Sequence, residues 1–590
     1  MTTSAAVSPK ISGGAFLIEE FSPDEVFTAE DLSEEHLAIA RTVDEFWAND
    51  VEPHLEAIRQ QKPGIALNVL RKSADLGLTA VAIPERFGGM EMDLASVMIV
   101  GEHLGRDASY GSWHSAHTGI GTLPILFFGT EEQKQKYLPR LAKAEILAAY
   151  ALTEPLAGSD ALAIRTRADL SPDGKFYVLN GQKMWITNGG AADLFTVFAK
   201  VGELFTAFLV ERNFPGVSSG AEEHKMGMKG SSTTAVYFDN VQVPVENVLG
   251  EIGRGHIIAF NILNLGRLKL GPGALGAAKN VLAVSLKYAK ERKAFGSAIA
   301  EFGAIQHKLA EMAIRIYVVE SMVWRVVGLI ESQLKAAPQD KSDAARTELK
   351  AVEEYAAECS IIKVYASEML DYVVDEGVQI HGGYGYHQDY LVERAYRDSR
   401  VNRLFEGTNE INRLLIPGML LKRAALGQLA LLPAVQAVVS GRSTKTPGSV
   451  DSDEEMRLAH NAKQIALLAT GIANQKYGTE LQKQQETLMS ISDIIMEVLA
   501  MESTLLRSRK SAASGRDKNA ADMCAVFLHE AMDRVEISCR NVFGACLDGD
   551  ALRRNMSALR SFSNYDPVDA IARRRNIASH LLANERYVCD

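Results

Sequence analysis

Cysteine is scarce in this chain. Its five cysteines, Cys359, Cys524, Cys539, Cys546 and Cys589, are scattered over 590 residues, form no CxxC pair and are odd in number. That argues against a disulfide framework or a zinc site and fits reduced thiols in a cytoplasm-like compartment. Long apolar runs are missing as well. The nearest, Leu414 to Val439, is broken by Pro417, Lys422, Arg423, Gln428, Pro433 and Gln436, so no membrane span is expected. The opening MTTSAAVSPKISGGAFLIEEF lacks a basic segment followed by an apolar one, and it is not Arg-rich. No targeting peptide is evident, and a cytoplasmic location is expected. Positive charge is not in excess. A net charge of −11 leaves no broad basic surface to neutralise phosphates, so no nucleic-acid partner is expected.

What is present is a long, mostly helical sequence. Its 590 residues suggest several domains rather than one core. Residues 30–145 read as a helical domain, with Ile39, Ala40, Val43, Phe46 and Trp47 at helical spacing and further patterns at Ala66–Leu76 and Leu94–Leu104. Residues 146–250 change to short alternating runs, Lys175–Leu179, Leu194–Ala199, Thr206–Val210 and Thr234–Phe238, which read as an antiparallel β domain. Residues 251–430 return to long helices, Gly255–Lys290, Gly303–Lys335 and Ser342–Gly377, and read as a four-helix bundle. The polar stretch 441–453 reads as a linker, and 454–590 as a further helical, four-helix-like extension. The fold class is α+β, mostly α, with segregated layers rather than alternating βαβ units. The stretch Leu414 to Arg442 reads as core helix. Contact with a membrane surface is the second reading, since Lys422, Arg423 and Arg442 give only a weak electrostatic pull.

Five short segments carry chemistry. FEGTNEINR, Phe405 to Arg413, sets the carboxylate of Glu406 between an aromatic residue and Gly407, just before Thr408, which can open a helix. The bland reading of such a segment is a capping turn with a solvated Glu. YALTEPLAGSD, Tyr150 to Asp160, offers Gly158 and Ser159 where a backbone must approach a ligand. KMWITNGG, Lys183 to Gly190, can lay the Trp185 indole beside a flat ring with the Thr187 hydroxyl at the ring's edge. For each of these two the plain alternative is a core strand followed by a turn. ERKAFG, Glu291 to Gly296, and QIHGGYGY, Gln379 to Tyr386, complete the set.

In this order and spacing the five segments resemble the acyl-CoA dehydrogenase family. ILNLGR (Ile262 to Arg267), EFGAIQHKLAEM (Glu301 to Met312) and the helical extension are most similar to its very-long-chain branch. The resemblance implies FAD as cofactor. Leu152, Thr153, Gly158, Ser159, Trp185 and Thr187 would hold it from one subunit. Arg292, Phe295, Gln379, Gly382 and Gly383 would hold it from a second, with Thr408 and Asn409 at the helix start. An Arg matches a pyrophosphate in charge and fork geometry. Ser159, Asn264, Arg267 and Gly407 would meet the acyl-CoA. Glu406 would take the α-proton while the β-hydrogen leaves as hydride. Gly266 stands where some relatives carry the base, which leaves Glu406 as the base.

The same resemblance implies fatty acyl-CoA substrates, trans-2-enoyl-CoA products, electron-transfer flavoprotein as acceptor and a role in β-oxidation. It implies a homodimer, with a tetramer the alternative. The competing functions are an assembly scaffold related to the very-long-chain enzyme, and an acyl-CoA oxidase. Trp113 and His117 fall in the region expected to line the far end of the acyl pocket, although a His on an apolar helix is more often a satisfied core residue.

Overall fold

The computed structural model describes residues 11–337, 344–440, 453–515 and 518–589. The expected linker lies, except for Asp453, outside the described residues. The N-terminal domain packs α1 (Glu34–Phe46), α2 (Leu55–Arg59), α3 (Ile65–Asp75), α4 (Leu94–Leu104), α5 (Ala108–Ala116), α6 (Leu123–Phe128) and α7 (Glu131–Ala142). Side-chain caps fix several starts. Ser33 accepts from the His36 amide, Asp93 from Ser96, and Thr130 from Gln133. Each satisfies an amide that the first turn leaves without a partner.

The middle domain is one sheet built from β1 (Ala148–Ala151), β2 (Arg167–Leu170), β3 (Phe176–Thr187), β4 (Leu194–Val201), β5 (Leu204–Glu211), β6 (Val217–Glu222), β7 (Thr233–Pro244) and β8 (Val248–Leu249). Its strand order is β6-β7-β3-β2-β4-β5-β8, with β1 also paired to β4. The pairing corrects the expectation of a purely antiparallel domain, because β4 runs parallel to β1 and to the end of β2. The sequence marked the hairpin-connected strands, whose partners are close along the chain; of β1 it offered only the plain alternative of a strand at the start of YALTEPLAGSD, with no pairing partner. All four residues of β1 are buried, so it shows no alternation.

The bundle consists of α8 (Gly255–Glu291), α9 (Gly303–Ala336), α10 (Ala344–Glu354), α11 (Ala356–His381), α12 (Leu391–Ser399) and α13 (Asn409–Ala425). The helix expected over Ser342–Gly377 is two, broken at Tyr355, with residues 338–343 outside the described ones. Close packing explains Gly271 in α8. A Cβ there would come within 2.8 Å of Ile362 and Val323, on α11 and α9. The stretch after Leu414 continues α13 and forms α14 (Leu431–Val439), with Ile416, Leu420, Leu431 and Val438 buried.

Among the described residues the extension has five α-helices rather than four: α15 (Glu454–Tyr477), α16 (Gln485–Ala513), α17 (Lys518–Cys546), α18 (Gly549–Phe562) and α19 (Ala570–Asn584). It packs on its own chain, α16 and α19 against α9 and α16 against α13. Buried charges join the parts. Arg507 of α16 pairs with Glu320 of α9 and Glu30 of the N-terminal segment, both at 2.7 Å. Lys279 of α8 bridges Glu320 to Glu102 of α4. Removing one partner of such a buried pair costs about 3–5 kcal/mol. The N-terminal segment lies over this junction as a strap. The Gly14 amide donates to Glu358, Glu20 meets His460 and Lys463, and Asp31 meets Lys510.

Candidate active site

Glu406 sits in a backbone conformation that non-glycine residues rarely adopt. Its φ is +57° and that of Gly407 is +81°. A left-handed residue other than glycine costs about 1–2 kcal/mol. Three side chains hold it there. Asn412 Nδ2 donates to the carbonyls of Glu406, Gly407 and Thr408 at 3.3, 2.9 and 3.1 Å. Arg267 Nε donates to the Glu406 carbonyl at 3.1 Å, and Lys363 Nζ to the Gly407 carbonyl at 2.7 Å. Thr408 ends the turn by accepting from the Ile411 amide, which starts α13. The loop is thus fixed from four sides, and its strain is stored at the functional carboxylate.

The carboxylate itself has little to bond. Its Oε2 is buried and has no hydrogen-bond partner among the described residues. Burial pushes its pKa up to about 7, against the pull of the Arg267 and Lys363 cations. It lies over Gly266 of α8, where a Cβ would be 2.7 Å from Oε2. Gly266 is therefore not merely unable to act as a base; it makes the space that the base occupies. The Glu406 amide makes no hydrogen bond to a described residue and remains a free donor beside the carboxylate.

Glu406 and Thr187 line the same cavity, of about 230 Å³, which runs between α4, α5, α8 and α12. Small residues line much of its length: Gly101, Gly105, Gly111, Gly273, Ala274 and Ala277. Trp113 and His117 do not line it. Trp113 is buried and donates to the Gly230 carbonyl at 2.9 Å. His117 is buried, with Nε2 against the Leu141 carbonyl and Nδ1 accepting from the Ala148 amide. His114 and Ser115, which the sequence did not single out, take their place on the wall.

The segments expected at the flavin form two groups, one in which Leu152 is buried, Thr153 and Thr187 half-buried and Gly158, Ser159 and Trp185 exposed, and one that is exposed throughout. In the first, Glu154 organises the loop that holds Thr153, Gly158 and Ser159. Its carboxylate accepts from the Arg165 and Thr166 amides and pairs with buried Lys183 at 2.8 Å. The Leu152 carbonyl takes a second bond from Lys183 at 3.1 Å. Between Lys183 and Ile186 the register of β3 against β7 slips, and Trp185 adopts φ +56°. That irregularity turns the indole outward, leaving it 60% exposed. In the second group, Arg292 lies over the Tyr384 ring at 5.6 Å and has no carboxylate partner among the described residues. Phe295, at 98% exposure, Gln379, Gly382 and Gly383 are all solvent-facing. A Cβ at Gly158, Gly382 or Gly383 would meet nothing within 4 Å, so these backbones are open to a large ligand.

Three expected ligand contacts are otherwise engaged, Arg267 among them: it is buried, with Nε on the Glu406 carbonyl and Nη1 on Asn264. The Asn409 side chain is buried, receiving Lys363 and donating to Ser367 and Glu368, so it braces the α13 start rather than facing a cofactor. Asn264 is buried and accepts from Arg267 Nη1 at 3.0 Å, so it orients that guanidinium. Lys363 lay outside the sequence reading because nothing local marks it; Asn412 stands within the FEGTNEINR segment, but its bracing of the base loop was not singled out.

A desolvated carboxylate at the head of a buried channel, with an outward indole and an Arg without a carboxylate partner among the described residues, suits an enzyme that removes a proton from a buried carbon acid beside a flat, anionic cofactor. The family models agree. "Acyl-CoA dehydrogenase, N-terminal domain" matches residues 33–145 and "middle domain" 149–241. "C-terminal domain" models match 253–420 and 461–561. A probable acyl-CoA dehydrogenase of Bacillus subtilis is 47% identical over 582 residues, 98% of both chains. The mitochondrial very long-chain specific acyl-CoA dehydrogenase of Bos taurus is 36% identical over 532 residues, 82% of this chain and 74% of that one. The crystal structure of an acyl-CoA dehydrogenase from Bacillus anthracis complexed with FAD superposes with a TM-score of 0.96 at 46% identity, over 98% of this chain and 100% of the other. The chain belongs to the acyl-CoA dehydrogenase family, and its cofactor is FAD.

Proposed function

We propose that this enzyme oxidises the α,β bond of medium-to-long, straight-chain fatty acyl-CoA thioesters in β-oxidation. Its electrons pass to an electron-transfer flavoprotein. The observation that carries the reading is Glu406: a carboxylate with an unpartnered oxygen, raised to about 7, at the head of a narrow channel lined by small residues. Straight chains suit that channel, and the very long-chain relative supports the substrate class.

Substrate binding places the thioester carbonyl at the free Glu406 amide, which stabilises the charge that develops on oxygen as the α-proton leaves. Glu406 Oε2 accepts that proton. A raised pKa makes it a stronger base than a solvated carboxylate, with about half of it ionised at neutral pH and more above. Arg267, held by Asn264, keeps the carbonyl of the base loop in place, and Lys363 holds the next one. When bound, FAD supplies the acceptor for the β-hydrogen and its electron pair. Trp185, Thr187, Thr153 and Ser159 would hold it from one subunit, and Arg292, Gln379 and Gly383 from a second. The exposure of that second group supports a homodimer. Leu426, Leu432 and Val439, exposed around the α13–α14 corner, support peripheral contact with a membrane as a secondary property.

The test is an anaerobic titration of the yellow enzyme with acyl-CoAs from butyryl to eicosanoyl. Bleaching by straight chains, slow return of colour in air and fast return with electron-transfer flavoprotein are expected. Rapid reoxidation by oxygen would make it an oxidase. No bleaching by any thioester would leave the scaffold reading.

A further inference from the structure

The acyl channel contains a charge that the reaction does not use. Lys269 follows Gly266 by three residues on α8, so its Cα lies about 4.5 Å further along the helix axis than the seat of the catalytic carboxylate. Its side chain lines the channel and also a smaller cavity of about 30 Å³ behind it. It makes no hydrogen bond or ion pair with any described residue. The wall is recessed to take it. Gly119 breaks the helical path there (φ −98°, ψ −105°), and a Cβ on Gly119 would be 3.2 Å from Lys269 Nζ.

The other charged groups on the channel wall are already engaged. Asp107 pairs with Arg59 at 2.6 Å and Arg394 at 3.7 Å. Asp398 accepts from the Met228 amide and faces Arg394 and Arg397. Glu406 lies in the field of Arg267 and Lys363. His114, beside Lys269, is neutral: Nε2 donates to the Leu78 carbonyl at 3.1 Å, and burial pushes its pKa down to about 3. Burial alone holds Lys269 down to about 8, so at neutral pH it is mostly an ammonium. Ser115, an exposed residue, lines both cavities with Lys269 and makes no side-chain hydrogen bond to a described residue. An ammonium without a counter-charge in a channel otherwise suited to methylenes is unfavourable, and a carboxylate from the ligand would relieve it.

We propose that Lys269, with Ser115, forms a subsite for an anionic group on the acyl chain, so that the preferred substrates are ω-carboxyacyl-CoA thioesters. This rests on the dehydrogenase reading above and refines its substrate class. A terminal carboxylate at Lys269 would also fix the depth of the chain, holding the α-carbon under Glu406. A plain alkyl chain must instead pass a charged amine.

The experiment measures kcat/KM of the FAD-loaded enzyme for suberoyl-, sebacoyl- and dodecanedioyl-CoA against octanoyl-, decanoyl- and dodecanoyl-CoA. Calorimetric binding of the same six ligands accompanies it. The wild type should favour the carboxylated member of at least one pair tenfold or more. Lys269→Met should reverse that order, lowering the carboxylated and raising the plain substrate. Lys269→Arg should retain the preference, which separates charge from packing. Flavin content reports whether each variant is folded. Preference for plain chains in the wild type, or a ratio unchanged in Lys269→Met, overturns the subsite and leaves the dehydrogenase reading intact. Selective binding of carboxylated thioesters with no turnover of either class keeps the subsite and sinks the dehydrogenase reading.

Discussion

Replacing Gly266 by alanine tests the seating of the base without touching it. The added methyl carbon would lie 2.7 Å from Glu406 Oε2 and 2.9 Å from Cδ, where ordinary contact begins at 3.4 Å. The carboxylate must therefore withdraw by about 0.7 Å (3.4 less 2.7). Displacing a reacting group by about 1 Å can cost on the order of 10²-fold in rate. A fall in kcat of roughly 10- to 100-fold is expected by that scale. The helix should not suffer, since alanine is favoured over glycine in a helix interior by about 1 kcal/mol. The flavin segments are on other elements, so flavin content should be unchanged. The assay is stopped-flow bleaching of the flavin under anaerobic conditions at saturating substrate, with a thermal melt alongside. A Gly266→Ala enzyme that bleaches at the wild-type rate would show that the carboxylate does not work from above Gly266. A variant that loses flavin or melts early would place the role of this glycine in packing.

Glu406→Gln should lower turnover by at least roughly 10²–10⁴ while keeping flavin, because the amide retains shape and cannot take a proton; near-normal turnover refutes the assignment. In the wild type, kcat should rise with pH through about 7 as Glu406 ionises. Stability should move the other way. The folded pKa of about 7 exceeds the ordinary 4.5, so the folded state holds a proton that the unfolded state has released between those values. Stability from this group is complete below about 4.5 and is lost as pH approaches and passes 7, by up to about 3 kcal/mol. Denaturant melts of the wild type and Glu406→Gln across that window check the sign. Arg292→Ala should release flavin on dilution, read as bound flavin per protein after gel filtration; unchanged stoichiometry refutes a shared site. Deleting the residues after 440 should uncover the α9 and α13 faces now met by α16 and α19, producing aggregation or a larger assembly by light scattering. A monodisperse active dimer would assign the extension another role.

The long helices and hairpin strands were legible because their signals are local. Leu94–Leu104 has the same bounds in the sequence reading and the structure, and α8 begins at the expected Gly255. What escaped was set by distant partners. Strand β1 pairs with a strand more than forty residues on, and its burial on both faces erases alternation. At the site, Glu406, Gly266 and Arg267 stand in recognisable motifs. Lys363 is an ordinary residue on α11 that only the fold brings to the Glu406 loop, whereas Asn412 stands in the same segment as Glu406, in the first turn of α13, and its role was passed over. Asn264 and Asn409 have the right place in the chain, yet their amides are satisfied by Arg267, Ser367 and Glu368. Trp113 and His117 went astray for a rotational reason: of α5 and the turn after it, Ser112, His114, Ser115 and Ala116 line the channel, while Trp113 and His117 are buried away from it.

The strap has a temporal meaning. Glu30 finds its guanidinium on Arg507, 477 residues later, and Glu20 and Asp31 wait comparably long for Lys463 and Lys510. At a synthesis rate of about 5–20 residues per second, that interval is roughly half a minute or more. During it the catalytic domains can fold, but the first segment has no α15 or α16 to close upon. Its fastening is therefore a late event that requires the extension to be in place. A chain released early would keep Glu320 on Lys279 but leave the carboxylates of Glu20, Glu30 and Asp31 without their partners on α15 and α16, an exposed terminal segment of the kind at which proteolysis concentrates.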